Sequence, residues 1–380
     1  MKKKYVVLSI ITLVLLIAFV TSFNYFKTSN TYVENNSNNQ TKITKGISMN
    51  LEQTAGAGDY KQVTQSSWPG DDYAFNAELS KCENGGEISW DDTKKAVIVS
   101  GNLSDKCYVY FDIYQLTLAE YIKSQYTGTQ GDNALYYHNS TLTNGAGDNS
   151  YRYAGASDSV NNYICLGSDV ATCPDANLFR IIGVFGDKTK VIRAKSVGYQ
   201  QWHTSADNTW SSSSLNAYLN GTYLTSLGTI AEKIATTTWK VGGGSGSNIS
   251  ASVPKTAYKN EVGSSASTTI IDKKIGLMYV SDYGFAASPS AWTKTLGDYD
   301  GTDANGTSIK TINWMYMGYN EWTISRHSDN TNSAFFVNST GNVLGNTVSS
   351  DNGVRPSFNL ESSVKYVSGS GSMSDPVRVN

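Results

Sequence analysis

Phe179-Arg-Ile-Ile-Gly-Val-Phe185 and Lys190-Val-Ile-Arg-Ala194 decide the fold, because together they predict a β-hairpin. Both runs are rich in the β-branched and aromatic residues that favour strands. Gly186-Asp187 lies between them and supplies the residue types that tight turns require. We therefore expect the two runs to pair as a hairpin around this turn.

The region after the hairpin predicts short helices among many strands. A helix is expected over 211–220, where Leu215 and Leu219 lie on one face. Another is expected over 229–235, where Thr229 and Glu232 match a capping box. Strand patterns then return at 275–280, 312–316, 322–326, 334–337 and 353–360. This mixture predicts one loop-rich α+β domain over residues 129–380.

The region before the hairpin predicts a separate, smaller module. Residues 46–113 alternate short strand patterns with Gly-, Asn- and Asp-containing turns, which indicates a small antiparallel, β-sandwich-like module. A connector helix is expected within 114–128, because Thr117 and Glu120 match a capping box and Gly128 can end the helix.

The N-terminal segment predicts export. Three lysines in the tail 1–4 precede residues 5–26, which carry no charge and are long enough to span a bilayer. The lysines favour the cytoplasmic side, so a single-pass signal-anchor would place the rest of the chain outside the cell. A cleaved signal peptide is the alternative and would also export the chain. Residues 27–45 are polar and Asn-rich, which is typical of a flexible stalk.

The overall charge argues against a nucleic-acid partner. Lys and Arg number 30 against 32 Asp and Glu, for a net charge of −2, and charged residues make up only 16% of the chain. No basic surface that would neutralise phosphates is implied. The expected partners are the membrane, through residues 5–26, and a glycan or protein ligand outside the cell.

The four cysteines lie on the expected extracellular side. Local pairing predicts Cys82–Cys107 and Cys165–Cys173, which the loop-entropy relation values at about 3.5 and about 2.6 kcal/mol. Free thiols and a zinc site remain alternatives. The spacing does not match the close Cys pairs of structural zinc sites.

A candidate ligand site is formed by Trp314, Tyr316, Trp322, Arg326 and His327. Aromatic rings beside a guanidinium can bind sugars or carboxylates. The alternative is structural: the tryptophans face the core and Arg326 pairs with an acid such as Asp282.

No catalytic motif or bound cofactor is predicted. The three histidines do not lie in a recognisable hydrolase motif. The acidic run containing Asp298, Asp300 and Asp303 is a weak Ca²⁺ candidate that does not match an EF-hand loop. The alternative for this run is a solvated loop.

The order of several segments resembles an uncharacterised domain of surface proteins from low-GC Gram-positive bacteria. These segments are Asn161–Cys165, Cys173–Phe185, Leu215–Asn220, Gly276–Tyr283, Trp322–Arg326 and Gly353–Leu360. That domain is distantly similar to the C-type-lectin-like fold shared with formylglycine-generating enzymes. The Glu-Pro-Asn and Trp-Asn-Asp calcium motifs of its sugar-binding members are missing here, as are the paired catalytic cysteines of the enzymes.

The combined expectation is a membrane-anchored surface protein that binds or adheres through its C-terminal domain. The polar loops at 240–270 and 295–310 are the expected contact regions, because binding residues concentrate on loops held by a rigid scaffold. A cell-envelope hydrolase and a structural envelope subunit are the alternatives.

Overall fold

A computed structural model describes residues 46–63, 69–101 and 105–380. The predicted cytoplasmic tail, membrane-spanning segment and stalk, residues 1–45, lie outside these described residues. Within the described ranges, no helix has the length and apolar character needed to cross a membrane.

The chain divides into two compact units between Gln115 and Leu116. The strands of the N-terminal unit are β1 (Gly46–Glu52), β2 (Tyr60–Val63), β3 (Tyr73–Cys82), β4 (Glu87–Asp91), β5 (Ala96–Ser100) and β6 (Lys106–Ile113). They form a four-stranded sheet in the order β2-β1-β6-β3 and a separate β4–β5 hairpin.

The prediction of an antiparallel module is wrong for one pair of strands, since β1 and β6 run parallel. The intervening strands provide the long connection that a parallel pair requires. Strands β3 and β6 are antiparallel, and Cys82 lies directly opposite Cys107. The predicted Cys82–Cys107 disulfide is present and joins these two neighbouring strands.

The C-terminal unit is built around the predicted hairpin, β10 (Leu178–Phe185) and β11 (Lys188–Arg193), with a two-residue turn at Gly186-Asp187. Its glycine has φ of 67°, which suits glycine best. Gly183 lies at a register shift in β10, where a Cβ atom would lie 2.1 Å from the carbonyl oxygen of Tyr151. Only glycine therefore allows the neighbouring strand to approach this closely.

The sheets of the C-terminal unit are mostly antiparallel. The remaining strands are β7 (Leu135–Tyr137), β8 (Tyr151–Tyr153), β9 (Tyr163–Cys165), β12 (Tyr199–Gln201), β13 (Thr237–Lys240), β14 (Ile270–Lys273), β15 (Ile275–Gly276), β16 (Glu321–Arg326), β17 (Ser333–Val337), β18 (Val343–Thr347), β19 (Asp351–Gly353), β20 (Ser357–Leu360), β21 (Tyr366–Ser368) and β22 (Val377–Val379). A nine-stranded sheet has the main order β15-β20-β11-β10-β9-β22-β21, and a five-stranded sheet has the order β12-β19-β16-β17-β18.

Few helices accompany these strands. They are α1 (Leu118–Ser124), α2 (Ser214–Tyr218), α3 (Leu224–Ser226), α4 (Pro254–Glu261) and α5 (Val280–Ala286), with a π-helical turn at Leu219–Tyr223 and short 3₁₀ turns at Asp132–Ala134, Asp175–Asn177, Trp210–Ser212, Gly228–Lys233, Pro289–Ala291, Leu296–Asp298 and Ile309–Ile312. The α+β class predicted for this region is therefore confirmed.

Helix α1 begins with the predicted capping box. The Thr117 hydroxyl accepts a hydrogen bond from the Glu120 N–H, and the Glu120 carboxylate accepts one from the Thr117 N–H. Leu118 and Ile122 are buried in the core of the C-terminal unit. The expected connector helix thus belongs to that unit.

Several predicted elements differ in the structure, including the helix expected at 211–220, which is divided among a 3₁₀ turn, helix α2 and a π-helical turn. The strand expected at 275–280 ends at Gly276, and Val280 begins helix α5. The segment 312–316 forms no strand, because the Asn313 side chain accepts the Met315 N–H in a local turn. The helix expected at 229–235 is a 3₁₀ turn without a side-chain cap.

The predicted Cys165–Cys173 disulfide is also present. It connects the end of β9 to the segment that leads into β10. Within the described residues no cysteine is unpaired.

Candidate functional site

The two tryptophans of the predicted ligand cluster lie in the core. Trp314 and Trp322 are 1% and 0% exposed. The indole N–H of Trp314 donates to the Tyr153 carbonyl at 2.8 Å, and that of Trp322 donates to the Gln200 carbonyl at 2.9 Å. These rings fill space between strands, and neither presents a face to an external ligand.

The other three members of that cluster, Tyr316, Arg326 and His327, are half-buried. The Tyr316 hydroxyl donates to the Ser339 carbonyl at 2.7 Å. Arg326 donates to the side-chain oxygen of Asn208 at 3.2 Å. The expected pairing of Arg326 with Asp282 is wrong. The structure therefore does not bring the five predicted residues together on one surface.

His327 is the histidine with a carboxylate partner. Its Nδ1 atom contacts the exposed carboxylate of Asp329, and its ring stacks on Phe335 at 4.9 Å between centroids. The loop at 243–250, part of the predicted contact region, passes over this ring. A Cβ atom on Gly246 would lie 3.4 Å from His327 Nε2.

Asn208 organises the turn that carries His327 and is a residue that sequence reasoning missed. Its side chain is buried, and its amide nitrogen donates to the carbonyls of His327, Asn330 and Ser333 at 2.7–2.8 Å. Nothing in the local sequence distinguishes Asn208 from the many other asparagines. Its role depends on contacts about 120 residues away in sequence.

The predicted calcium ligands do not converge. Asp298 and Asp300 are exposed, whereas Asp303 is buried and accepts the N–H groups of Asn305 and Thr307 within its own turn. In the ranges that the structure describes, no group of three or more His, Cys, Asp or Glu side chains could hold a metal ion.

A buried ionic network lies at the start of helix α5. Asp282 accepts hydrogen bonds from Lys190 Nζ at 2.5 Å and from the Tyr279 N–H at 2.9 Å, while Arg152 lies 3.5 Å away. Glu261 accepts the N–H groups that open the helix, at 2.8 and 3.0 Å. Burial raises the pKa of Glu261 and lowers the pKa of Lys190.

The charged groups of this network are occupied by one another, by the helix N–H groups and by the side chains of Asp148, Ser150 and Ser325. The aromatic rings of Phe185, Trp239 and Tyr279 cover Lys190 at 4.6–5.7 Å. The network therefore fixes the position of helix α5 against the sheet and offers no access to a substrate.

Arg355 forms a second buried ion pair. Its guanidinium donates to both carboxylate oxygens of Glu321, at 2.5 and 2.9 Å, and to the Met315 carbonyl at 2.8 Å. Both side chains are almost fully buried. This pair ties the segment before β20 to strand β16.

An open groove of about 560 Å³ lies where loop 157–163 faces the turn at 372–374. This volume is typical of small-ligand sites. Its lining residues are Ser157, Asp158, Val160, Asn161, Tyr163, Ser372, Met373 and Ser374. We name this feature the serine groove. The two walls are joined by a hydrogen bond from the Tyr163 N–H to the Gly371 carbonyl at 2.8 Å.

The serine groove was missed because its walls are far apart in sequence. The stretch 157–163 contains polar residues before a strand, a pattern shared by many loops. The turn at 372–374 reaches it only because β22 lies parallel to β9. A sequence pattern could identify either wall as a loop, but not their proximity.

The fold defines a mixed α+β protein with mostly antiparallel sheets. Residues 186–362 match the family described as "Domain of unknown function (DUF6273)". The match begins at the turn of the central hairpin and ends just after β20, so the walls of the serine groove lie outside it. Comparisons with curated proteins and with solved structures give no match.

Proposed function

We propose that this chain is an extracellular surface protein, anchored through residues 5–26, that binds a glycan or protein ligand through its C-terminal unit. The serine groove is the observation that carries the binding proposal. It combines an aromatic side chain with hydroxyl, amide and carboxylate groups on a tightly packed scaffold. Binding sites commonly pair a rigid framework with a few polar groups on its loops.

Export is supported by two features. The uncharged segment 5–26 follows three lysines, and the two disulfides suit an oxidising compartment. The order of motifs adds the proposal that the C-terminal unit is related to the C-type-lectin-like proteins of Gram-positive cell surfaces. Protease treatment of intact expressing cells tests the location: residues 46–380 should be digested from outside, and full protection would contradict it.

The binding proposal is tested by applying the full chain to glycan and peptidoglycan arrays, with and without EDTA. Ser374→Trp should fill the serine groove and abolish binding, because Ser374 is an exposed lining residue. Ser349→Trp places the same ring at an exposed serine on another loop and should leave binding unchanged. Binding should not require Ca²⁺. Equal binding by the chain and Ser374→Trp would refute the groove as the site.

A second candidate function, hydrolysis, is favoured by the contact between His327 and Asp329. In hydrolases a carboxylate hydrogen-bonded to Nδ1 orients the imidazole, and here Asp329 lies beside Nδ1 without the geometry of a hydrogen bond. Ser250 lies nearby, since a Cβ atom on Gly246 would lie within 4 Å of both Ser250 Oγ and His327 Nε2. Hydrolysis of chromogenic ester or glycoside substrates that His327→Ala abolishes would support this candidate. Equal rates in the two proteins would exclude it.

A further inference from the structure

Arg180 is a buried cation without an anionic partner. Its side chain is 3% exposed, and among the described residues no carboxylate forms an ion pair with it. The guanidinium donates to the Asn162 side-chain oxygen at 2.6 Å, the Ser157 hydroxyl at 2.7 Å and the Val160 carbonyl at 3.0 Å. These neutral acceptors satisfy its N–H groups but do not cancel its charge.

The other fully buried arginines of this unit show the contrast. Arg152 forms an ion pair with Asp148 at 2.7 Å, and Arg355 forms one with Glu321 at 2.5 Å. Burying a charge without a counter-ion is costly, so such groups are normally paired. Burial lowers the pKa of Arg180 to about 10, which still leaves it charged at neutral pH.

The charge of Arg180 lies directly behind the serine groove. Its guanidinium carbon is 4.3 Å from the ring centroid of Tyr163, its cross-strand neighbour. Ser157 and Val160, which also line the groove, accept its hydrogen bonds. A charge held in a low-dielectric wall is screened less than one in water, so its field extends into the groove.

We propose that the serine groove binds an acidic saccharide whose anionic group is attracted by Arg180. This inference rests on the proposed binding function and specifies its ligand class. The hydroxyls of Ser372 and Ser374 and the amide of Asn161 match sugar hydroxyls, and Tyr163 offers the aromatic surface on which sugars pack. The anionic group is attracted across the groove wall, because Arg180 itself does not line the groove.

Asp158 allows the direction of a change in affinity to be predicted. Its carboxylate lies on the exposed rim of the groove and opposes an anionic ligand. Asp158→Asn should therefore tighten binding of an acidic saccharide by about three- to tenfold, as expected for removing one like charge at a partly screened site. The ratio of the affinity for the acidic saccharide to the affinity for an uncharged one should therefore rise in the variant.

The test uses the full chain with a tetrasaccharide of alternating glucuronic acid and N-acetylglucosamine, and with the same compound after reduction of its carboxyl groups. Calorimetry at low and high salt measures both affinities for the chain and for Asp158→Asn. The chain should bind the acidic compound more tightly than the reduced one. Its affinity for the acidic compound should fall at high salt and rise in Asp158→Asn. Arg180→Met, where it folds, should remove the preference for the acidic compound.

The outcomes separate the two proposals. Equal affinity for both compounds, with binding lost in Ser374→Trp, would overturn the acidic preference and retain the groove as a binding site. No binding of either compound, together with no groove-dependent signal on the wider arrays, would overturn both. Weaker binding of the acidic compound by Asp158→Asn would also refute the charge argument.

Discussion

Because His138 is buried, we expect the free energy of unfolding to fall in mild acid. Its ring is fully buried between Phe285 and Trp292, at centroid distances of 4.8 and 5.1 Å, and its Nδ1 atom accepts the Ala146 N–H at 3.1 Å. Burial, followed by the charge of Arg152, lowers the pKa of His138 well below its usual 6.5. The folded chain therefore holds this imidazole neutral under conditions where the unfolded chain protonates it.

The size of the effect follows from proton linkage. Because the folded pKa is lowered, the stabilisation is present above pH 6.5 and is lost as the pH falls. One proton more in the unfolded state costs about 1.4 kcal/mol per pH unit. Between pH 7.5 and 5.5 His138 should therefore reduce the free energy of unfolding by about 1.4 kcal/mol.

Urea unfolding of the full chain and of His138→Asn at these two pH values measures this contribution. Asparagine retains a side-chain acceptor near Nδ1 but does not titrate. The loss of stability between the two pH values should be about 1.4 kcal/mol smaller in the variant, whatever its absolute stability. Phe358→Leu is the control, since Phe358 is a buried ring that packs on Phe179 rather than on His138, and its loss should destabilise equally at both pH values. An identical pH dependence in the chain and His138→Asn would refute the reasoning.

Three further predictions concern stability. Arg355→Met should lower the free energy of unfolding by about 3–5 kcal/mol, because it leaves Glu321 buried without a partner. Adding Glu321→Leu should recover most of that loss, and equal urea midpoints for the single and double variants would contradict this. Asn208→Ala should lower the free energy of unfolding by about 2 kcal/mol and speed amide exchange selectively at the turn 327–333. An equal change of exchange rates across the whole unit would exclude this role. Replacing Cys165 and Cys173 by serine should cost about 2.6 kcal/mol in denaturant unfolding, and unchanged stability would refute the loop-entropy argument.

The sequence was most informative where structure depends on neighbouring residues. The central hairpin follows from strand propensity and the Gly186-Asp187 turn, and the start of α1 follows from the spacing of Thr117 and Glu120. The disulfides follow from pairing each cysteine with its neighbour in the chain. All these features rest on contacts within about 25 residues.

Features that depend on distant residues could not be predicted in this way. The parallel pairing of β1 with β6 requires knowledge of how the chain returns. Helix α5 begins inside an apolar run that resembles a strand, and its first N–H groups are satisfied by Glu261 from another helix. The aromatic cluster at 314–322 was ambiguous because core tryptophans and ligand-binding tryptophans have the same sequence pattern.

Two strands that complete the sheet around the central hairpin are synthesised long after it. Strand β11 is covered by β20, and β9 is covered by β22, both of which the ribosome makes well over 150 residues later. Strand β10 can pair with β9 as soon as it emerges, but the outer edges of the β9-β10-β11 sheet stay unpaired until nearly the whole unit has been translated. Exposed edges of this kind promote aggregation, and such distant pairings fold slowly. The nascent chain should thus depend on chaperones that shield these edges until β20 and β22 arrive.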